Sequence, residues 1–441
     1  MLSPLWGLPF AGLLLSMALL PLLAPAFWQR HDGKVVAAWA LAWLLPAAAV
    51  FGVASAWHGL VHALVAEYIP FIVLLTALFV VAGGIFVHGN LRGSPGVNVV
   101  LMAIGAALAS VMGTTGASML MIRPLIRAND HRRSAAHVIV FFIFIVSNAG
   151  GALTPLGDPP LFLGFLQGVS FFWTLQHLLP HTLFLVGALL AIFWLIDRHH
   201  QRHDPPPKPD PTPPTRGFGV EGRINLGLLA GIAGLILLSG LWQGGVALRV
   251  AGVEVHWQGL VRDTGLLAVI GLSLWLTPAA AHRQNQFSFG PIIEVARLFA
   301  GIFLTIIPVI AMLRAGVDGP FGAIIAAVTG ADGQPRPGMY FWAAGGLSSF
   351  LDNAPTYLVF FNAAGGDAQQ LMTRLAPTLV AISAGSVFMG ANSYIGNAPN
   401  LMVKAVAESR GIRMPGFFGY MAWAMAVLMP LFVLMSLIWF F

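Results

Sequence analysis

The chain has 441 residues, 58% of them hydrophobic and 9% charged, with a mean hydropathy of +0.82. Soluble domains carry about 25% charged residues, so this composition excludes a soluble globular protein and places the chain in a bilayer. A net charge of +6 would suggest nucleic acid in a soluble protein, but here the basic residues gather between apolar runs, where Lys and Arg mark the cytoplasmic side, and no nucleic-acid partner is expected.

Runs of about 20 apolar residues are long enough to cross hydrocarbon as helices. They lie near 5 to 25, 35 to 57, 66 to 87, 172 to 196, 224 to 242, 264 to 280, 293 to 313 and 416 to 441. The alternation of a membrane β-barrel is missing, so the expected fold is an all-α polytopic membrane protein. The first run ends in Ala24-Pro25-Ala26 but has no preceding Lys or Arg and is followed by Arg30 and Lys34, the reverse of a signal peptide, so it reads as a retained span.

Residues 1–90 read as N-terminal scaffold helices. Residues 91–196 read as a first repeat, with a hairpin at 97–128, a broken helix at 135–170 and a closing helix at 172–196. The Pro- and His-rich stretch 197–223 reads as a cytoplasmic linker whose His199, His200 and His203 are solvated rather than metal-bound. Residues 224–314 read as second-half scaffold helices. A second repeat spans 315–441, with a hairpin at 338–366, a broken helix at 371–407 and a closing helix at 416–441.

The two repeats are detected through their unusual residues. Ser110, Ser147, Gly151, Ala152, Gly157 and Pro160 recur at a constant offset of 239 as Ser349, Ser386, Gly390, Ala391, Gly396 and Pro399, with Thr154 answered by Ser393 and Asp158 by Asn397. Breaks in matching positions of two halves point to a secondary transporter's binding site. Arg92 and Arg123 both fall inside on the charge rule, so the segment between them enters the membrane and returns, turning at Ser110 to Ser118. Its counterpart turns at Ser348 to Thr356 from the opposite face, which makes the repeats inverted. The same rule puts the N-terminus outside, periplasmic if the membrane is a bacterial inner (cytoplasmic) one.

After each hairpin an apolar segment is broken in its middle, as SNAGGALTPLGDPP at 147 to 160 and SVFMGANSYIGNAPN at 386 to 400. Non-helical backbone at that depth must be buried in protein or line a cavity, so the four broken elements converge. Of sixteen acidic residues only Asp158 and Asp352 fall in the breaks, and the others lie in loops, the linker or near span ends. An Asp at mid-bilayer costs about 2.5 to 3.5 kcal/mol on insertion scales, which marks function by default, against the alternative of a simple helix cap.

Desolvation raises a carboxylate's pKa and a bound cation lowers it, so each Asp can alternate between a proton and Na+. The breaks also supply the oxygen ligands that hard cations prefer, from Thr114, Thr115, Ser147, Asn148, Thr154, Asn353, Thr356, Asn392, Ser393 and Asn397. No cofactor is expected beyond Na+ and H+. His58 and His62 stand four apart, but Gly59 replaces the Glu of a zinc-protease motif. Neither a GxSxG elbow nor a phosphate loop is present, and the absence of cysteine removes thiol catalysis, so no enzyme is expected. Gly227 and Gly231 form a GxxxG pair that suits a homodimer through scaffold helices.

The stretch SNAGGALTPLGDPP resembles the NAGGxxSPxGD signature of NhaD-type sodium/proton antiporters, and the layout is similar to the ion transporter superfamily, which includes citrate carriers. FLDNAPT at 350 to 356 and YIGNAPN at 394 to 400 resemble second-half motifs of the same families, and the likeness covers about 90 to 410. The overall resemblance is to the branch named for citrate transport (CitMHS-like). It implies a scaffold domain that often dimerises and a transport domain with two hairpins and two broken helices. Position by position it implies roles for Asn148, Thr154, Asp158, Asp352 and Asn353. The chain departs from the antiporters in having Thr114-Thr115 in place of an Asp-Asn pair and Pro159-Pro160 after the GD. The sequence thus reads as a Na+ (or Li+)/H+ antiporter, with a Na+- or H+-coupled citrate or dicarboxylate symporter as the alternative.

Overall fold

The computed structural model describes residues 2–89, 91–132, 134–203, 219–330 and 332–441. Among them, nine helices are long and apolar enough to cross a membrane, or ten if one bent pair counts as a single span. The chain is an all-α polytopic membrane protein.

A 3-10 turn leads into α1 (Leu8–Leu23), and α2 (Pro25–Phe51) follows after one residue. Pro25 sits in the first turn of α2, where its missing N–H leaves no intrahelical bond unmade. The connection expected between the first two apolar runs is therefore helical, and Arg30 and Lys34 lie on its first turns. Gly52, at φ +88°, ends α2 and opens a continuous helical stretch of α3 (Val53–His62), a π turn at Ala63–Tyr68 and α4 (Ile69–Gly83). His58 and His62 both lie in α3, where His58 Nδ1 is 3.4 Å from the Ala251 carbonyl oxygen.

α5 (Pro95–Met112) and α6 (Thr114–Ala128) pack on one another and are separated by Gly113 alone. α7 (Ala136–Ile145) gives way to a 3-10 turn at Ala149–Leu153 and then to α8 (Pro159–Leu166). α9 (Phe171–His203) is the longest helix described. Two short antiparallel pairs interrupt the helical pattern: β1 (Phe86–His88) with β2 (Gly219–Glu221), and the hairpin of β3 (Val246–Val250) with β4 (Val253–His256).

The second half runs through α10 (Ile224–Leu241), α11 (Trp257–Leu276), α12 (Ala279–Gln284), α13 (Gly290–Thr305) and α14 (Ile307–Arg314). The run expected to cross straight at 293 to 313 is bent by 42° between α13 and α14. Pro308, in the first turn of α14, lacks the N–H that would continue α13's ladder. Then come α15 (Gly322–Val328), α16 (Pro337–Ser348), α17 (Asn353–Ala363), α18 (Ala368–Met372), α19 (Ala376–Phe388), α20 (Ala398–Ser409) and α21 (Phe417–Trp439).

Burial separates two kinds of span. The window from Ala136 to Leu153 is 89% buried, whereas those in α2, α10 and α11 are 17%, 22% and 22% buried. The broken helix is thus walled by protein, which its bare backbone groups require, and the unbroken helices present their apolar faces outward. The halves interlock: α8 packs on α17, and α20 packs on α6.

The linker expected at 197–223 is shorter in the structure, because α9 continues to His203 and residues 219–221 pair as β2; its central portion, 204–218, lies outside the described residues. Asp197 is not a linker residue at all. It is fully buried, 2.5 Å from Arg132 Nη1 and 2.8 Å from His137 Nε2, and it accepts a bond from Asn98 Nδ2 at 3.0 Å. His200 stacks on His137 at 4.3 Å instead of lying in solvent. These contacts tie the starts of α5 and α7 to the end of α9, and that burial of polar partners is what extends the helix past its apolar run.

Removing one member of a buried ion pair strands the other, at a cost of about 3 to 5 kcal/mol. Asp197→Asn is expected to lower the thermal midpoint of the detergent-solubilised protein clearly, whereas Glu254→Gln, at the exposed pair with Arg249, is expected to leave it nearly unchanged.

Candidate functional site

The break chemistry explains the repeated residues. In the first half Ser110 Oγ donates to Gly150 O at 2.5 Å and Thr154 Oγ1 donates to Ser110 O. In the second, Ser349 Oγ donates to Met389 O at 3.3 Å and Ser393 Oγ to Ser349 O at 2.5 Å. These are the same bonds displaced by 239 positions, and in each half they fasten the hairpin to the interrupted helix. A Cβ on Gly157 would stand 2.1 Å from Gly151 O, and one on Gly396 would stand 2.6 Å from Gly390 O, so the two strands of each break touch through bare backbone. Gly113 holds φ +82° at the tip of the first hairpin, and Thr114 N donates to Gly157 O at 2.8 Å.

Four helices begin at these breaks, and all four reach one carboxylate. Asp158 is the N-cap residue of α8 and is 1% exposed. Thr114, the first residue of α6, donates to Asp158 Oδ1 at 2.9 Å. Asn353, the first residue of α17, donates from Nδ2 to Asp158 Oδ2. Asn397, the N-cap of α20, approaches Asp158 Oδ1 from Nδ2 at 3.5 Å. Helix N-termini and N–H or O–H donors both favour negative charge, so the site is built around a carboxyl group that belongs to the chain.

Asp352 is the N-cap of α17, half-buried, with its Oδ1 accepting from Ala354 N at 3.0 Å. It lies close enough to Asp158 for the two charges to interact. By helix start and by offset, Asp352-Asn353 match Gly113-Thr114, one residue earlier than the Thr114-Thr115 pairing taken from the resemblance.

A cavity of about 710 Å³ joins the two acids. Thr114, Thr115, Asp158, Asp352 and Asn397 line one wall, and α1, α2, α4 and α13 supply the other. Glu294 is the third acid on it, and among the described residues no Lys, Arg or His lines it.

The remaining residues singled out from the sequence have other surroundings. Ser147 Oγ pairs with Ser118 Oγ at 2.8 Å, and Asn148 Nδ2 donates to Ile143 O and to Asn400 Oδ1, each at 2.9 Å. Asn397 Nδ2 lies 3.1 Å from Ser147 O and 3.2 Å from Asn148 Oδ1, which joins these residues to the Asp158 cluster. Thr154, Ser393 and Thr356 direct their hydroxyls to backbone carbonyls, Thr356 to Asp352 O at 3.0 Å. Asn392 Nδ2 donates to Ser349 Oγ at 2.9 Å.

Two residues of this region were not singled out. Asn400 is fully buried and donates to Gly390 O and Ser393 O, each at 2.9 Å, while accepting from Asn148. Its signal was an Asn where the 239 offset gives apolar Leu161. Glu294 was read as a residue near a span end, and only the packing of α13 brings it to the cavity.

Apolar spans around paired broken helices and a largely apolar cavity that holds three acids define a membrane transporter. The chain belongs to the family described as "Putative citrate transport", whose model matches residues 1–440. It is also similar to uncharacterized transporters of Mycobacterium bovis and Mycobacterium tuberculosis, each 26% identical over 286 residues. That match covers 57% of this chain and 64% of each relative, so the chain spans less than two thirds of the curated relatives it matches.

Gly157→Ala forces the two strands of the first break apart, since a methyl cannot occupy the 2.1 Å gap to Gly151 O. Transport in reconstituted vesicles is expected to be lost, whereas Gly96→Ala, which meets nothing within 4 Å, is expected to retain it.

Proposed function

We propose that the chain exchanges Na+ (or Li+) for H+ across the cytoplasmic membrane by alternating access. Asp158 is the group that holds proton and cation in turn, and Asp352 is its neighbour at the mouth of the break. The observation that supports this reading is the convergence of four helix N-termini on a carboxylate of the chain itself. In a carrier of anions such termini are available to the substrate. Here Asp158 already occupies their focus, and what it lacks is a positive partner.

The rest of the cavity supports the same sign of charge. Two like charges about 8 Å apart repel by about 2 kcal/mol at an effective dielectric near 20. A tricarboxylate would meet that repulsion at three acids, with no basic side chain among the described lining residues to offset it. A small cation instead finds carboxylate oxygens, and beside Asp158 the Asn353 Oδ1 acceptor is buried without a hydrogen-bond partner. Protonation of Asp158 removes the charge that binds the cation, so the two ligands compete and exchange is coupled.

In this reading residues 91–196 and 315–441 form the moving unit, with the hairpins inverted relative to one another, and residues 1–90 and 224–314 form the scaffold. The N-terminus is outside. Gly227 and Gly231 of α10 have open space beside them, which suits a homodimer through that face. The family's description favours a second reading, Na+- or H+-coupled uptake of citrate or a dicarboxylate. It requires bound cations to neutralise the acids before the anion enters.

Reconstituted vesicles separate the two. The antiporter reading expects proton movement on a pulse of Na+ or Li+ with no organic anion present, whereas the symporter reading expects accumulation of labelled citrate and no such proton flux. Asp158→Asn keeps the shape and removes the charge. Its exchange is expected to fall to the level of protein-free vesicles while the protein still inserts, and wild-type flux from that variant would remove Asp158 from the mechanism.

A further inference from the structure

We propose that Glu294 draws the cation into the cavity, as the outermost of three acids arranged by increasing burial; this rests on the cation-exchange reading above. Glu294 is exposed, Asp352 is half-buried and Asp158 is 1% exposed, yet all three line the same cavity. Gln29 and Pro291, exposed cavity residues of α2 and α13, place the mouth beside Glu294. A cleft lined by one sign of charge between low-dielectric walls concentrates counter-ions and speeds their entry.

Glu294 has charged groups of both signs beside it. Two charged groups act on it, Asp32 from α2 and Arg297 from the next turn of α13, and Trp28 hydrogen-bonds to it. Arg297 is positioned to neutralise Glu294 but is turned toward Asp32 instead, with Nη1 3.3 Å and 3.4 Å from the two carboxylate oxygens. Asp32 is 6% exposed, and Arg297 does not line the cavity. The Asp32–Arg297 pair thus holds a cation-repelling guanidinium outside the cavity lining, and Glu294 is the acid that faces the mouth.

The test is the rate of Na+-driven proton flux in vesicles as Na+ concentration and ionic strength are varied, for wild type, Glu294→Gln, Glu294→Asp and Asp32→Asn. Glu294→Gln is expected to raise KM for Na+ about threefold to tenfold, leave the maximal rate unchanged and flatten the salt dependence of KM. Glu294→Asp is expected to stay close to wild type. Asp32→Asn releases Arg297 and is expected to raise KM in the same direction with the Glu294 side chain retained, which keeps the proposal testable if Glu294→Gln does not insert. A wild-type KM with wild-type salt dependence in Glu294→Gln overturns the proposal, as does a fall in maximal rate at unchanged KM. Failure of the wild type itself to exchange cations overturns the underlying reading, and the two failures are distinct.

Discussion

A carboxylate at the meeting point of four helix N-termini is the constraint around which this protein is arranged. Each N-terminus is equivalent to roughly half a positive charge, so four together offset about two negative ones. Without Asp158 those termini would leave uncompensated positive ends and the Thr114, Asn353 and Asn397 side chains would lose a shared acceptor; without them, Asp158 would be a buried carboxyl with little to hold it. The donors come from both halves of the sequence, Thr114 from the first and Asn353 and Asn397 from the second. The site therefore cannot form until the halves have docked.

Docking in turn depends on the breaks being enclosed. Helices interrupted in lipid expose peptide groups that nothing can satisfy. The 89% burial of the span through the first break shows how that problem is solved, with the unbroken helices surrounding it. Serine and threonine hydroxyls bind the freed carbonyls in the same pattern in each half, and glycines let the strands of each break touch. The repeated polar residues thus serve two ends. Some hold the backbone open, as Ser110, Ser349, Thr154 and Ser393 do, and others face the Asp158 cluster.

The acids differ from one another through packing alone. Asp158 is held by three side-chain donors, Asp352 by a backbone N–H at its own helix start, and Glu294 stands at the mouth beside the Asp32–Arg297 pair. The cavity consequently grades from exposed to buried acid, without a basic side chain among the described residues of its lining. That gradient follows from the position of α13 against the broken helices.

The sequence by itself determined that the chain lives in a bilayer, because nothing else tolerates so much apolar surface with so few charges. It also determined where helices stop. Gly113, Gly157, Pro159 and Gly396 act within one or two residues of themselves, and local chemistry is legible from local sequence. The place of Asp158 and Asp352 at the breaks could be read for the same reason. Several things required the tertiary structure. Asp197 resembles any linker acid until Arg132, His137 and Asn98 are seen around it, and the bend before α14 shows only weakly in Pro308. Asn400 and Glu294 owe their places to partners more than 250 residues away in the chain, such as Asn148 and Asp32 respectively. Burial, ion pairing and the sharing of one carboxylate by four helices are relations between distant segments, and no single segment encodes them.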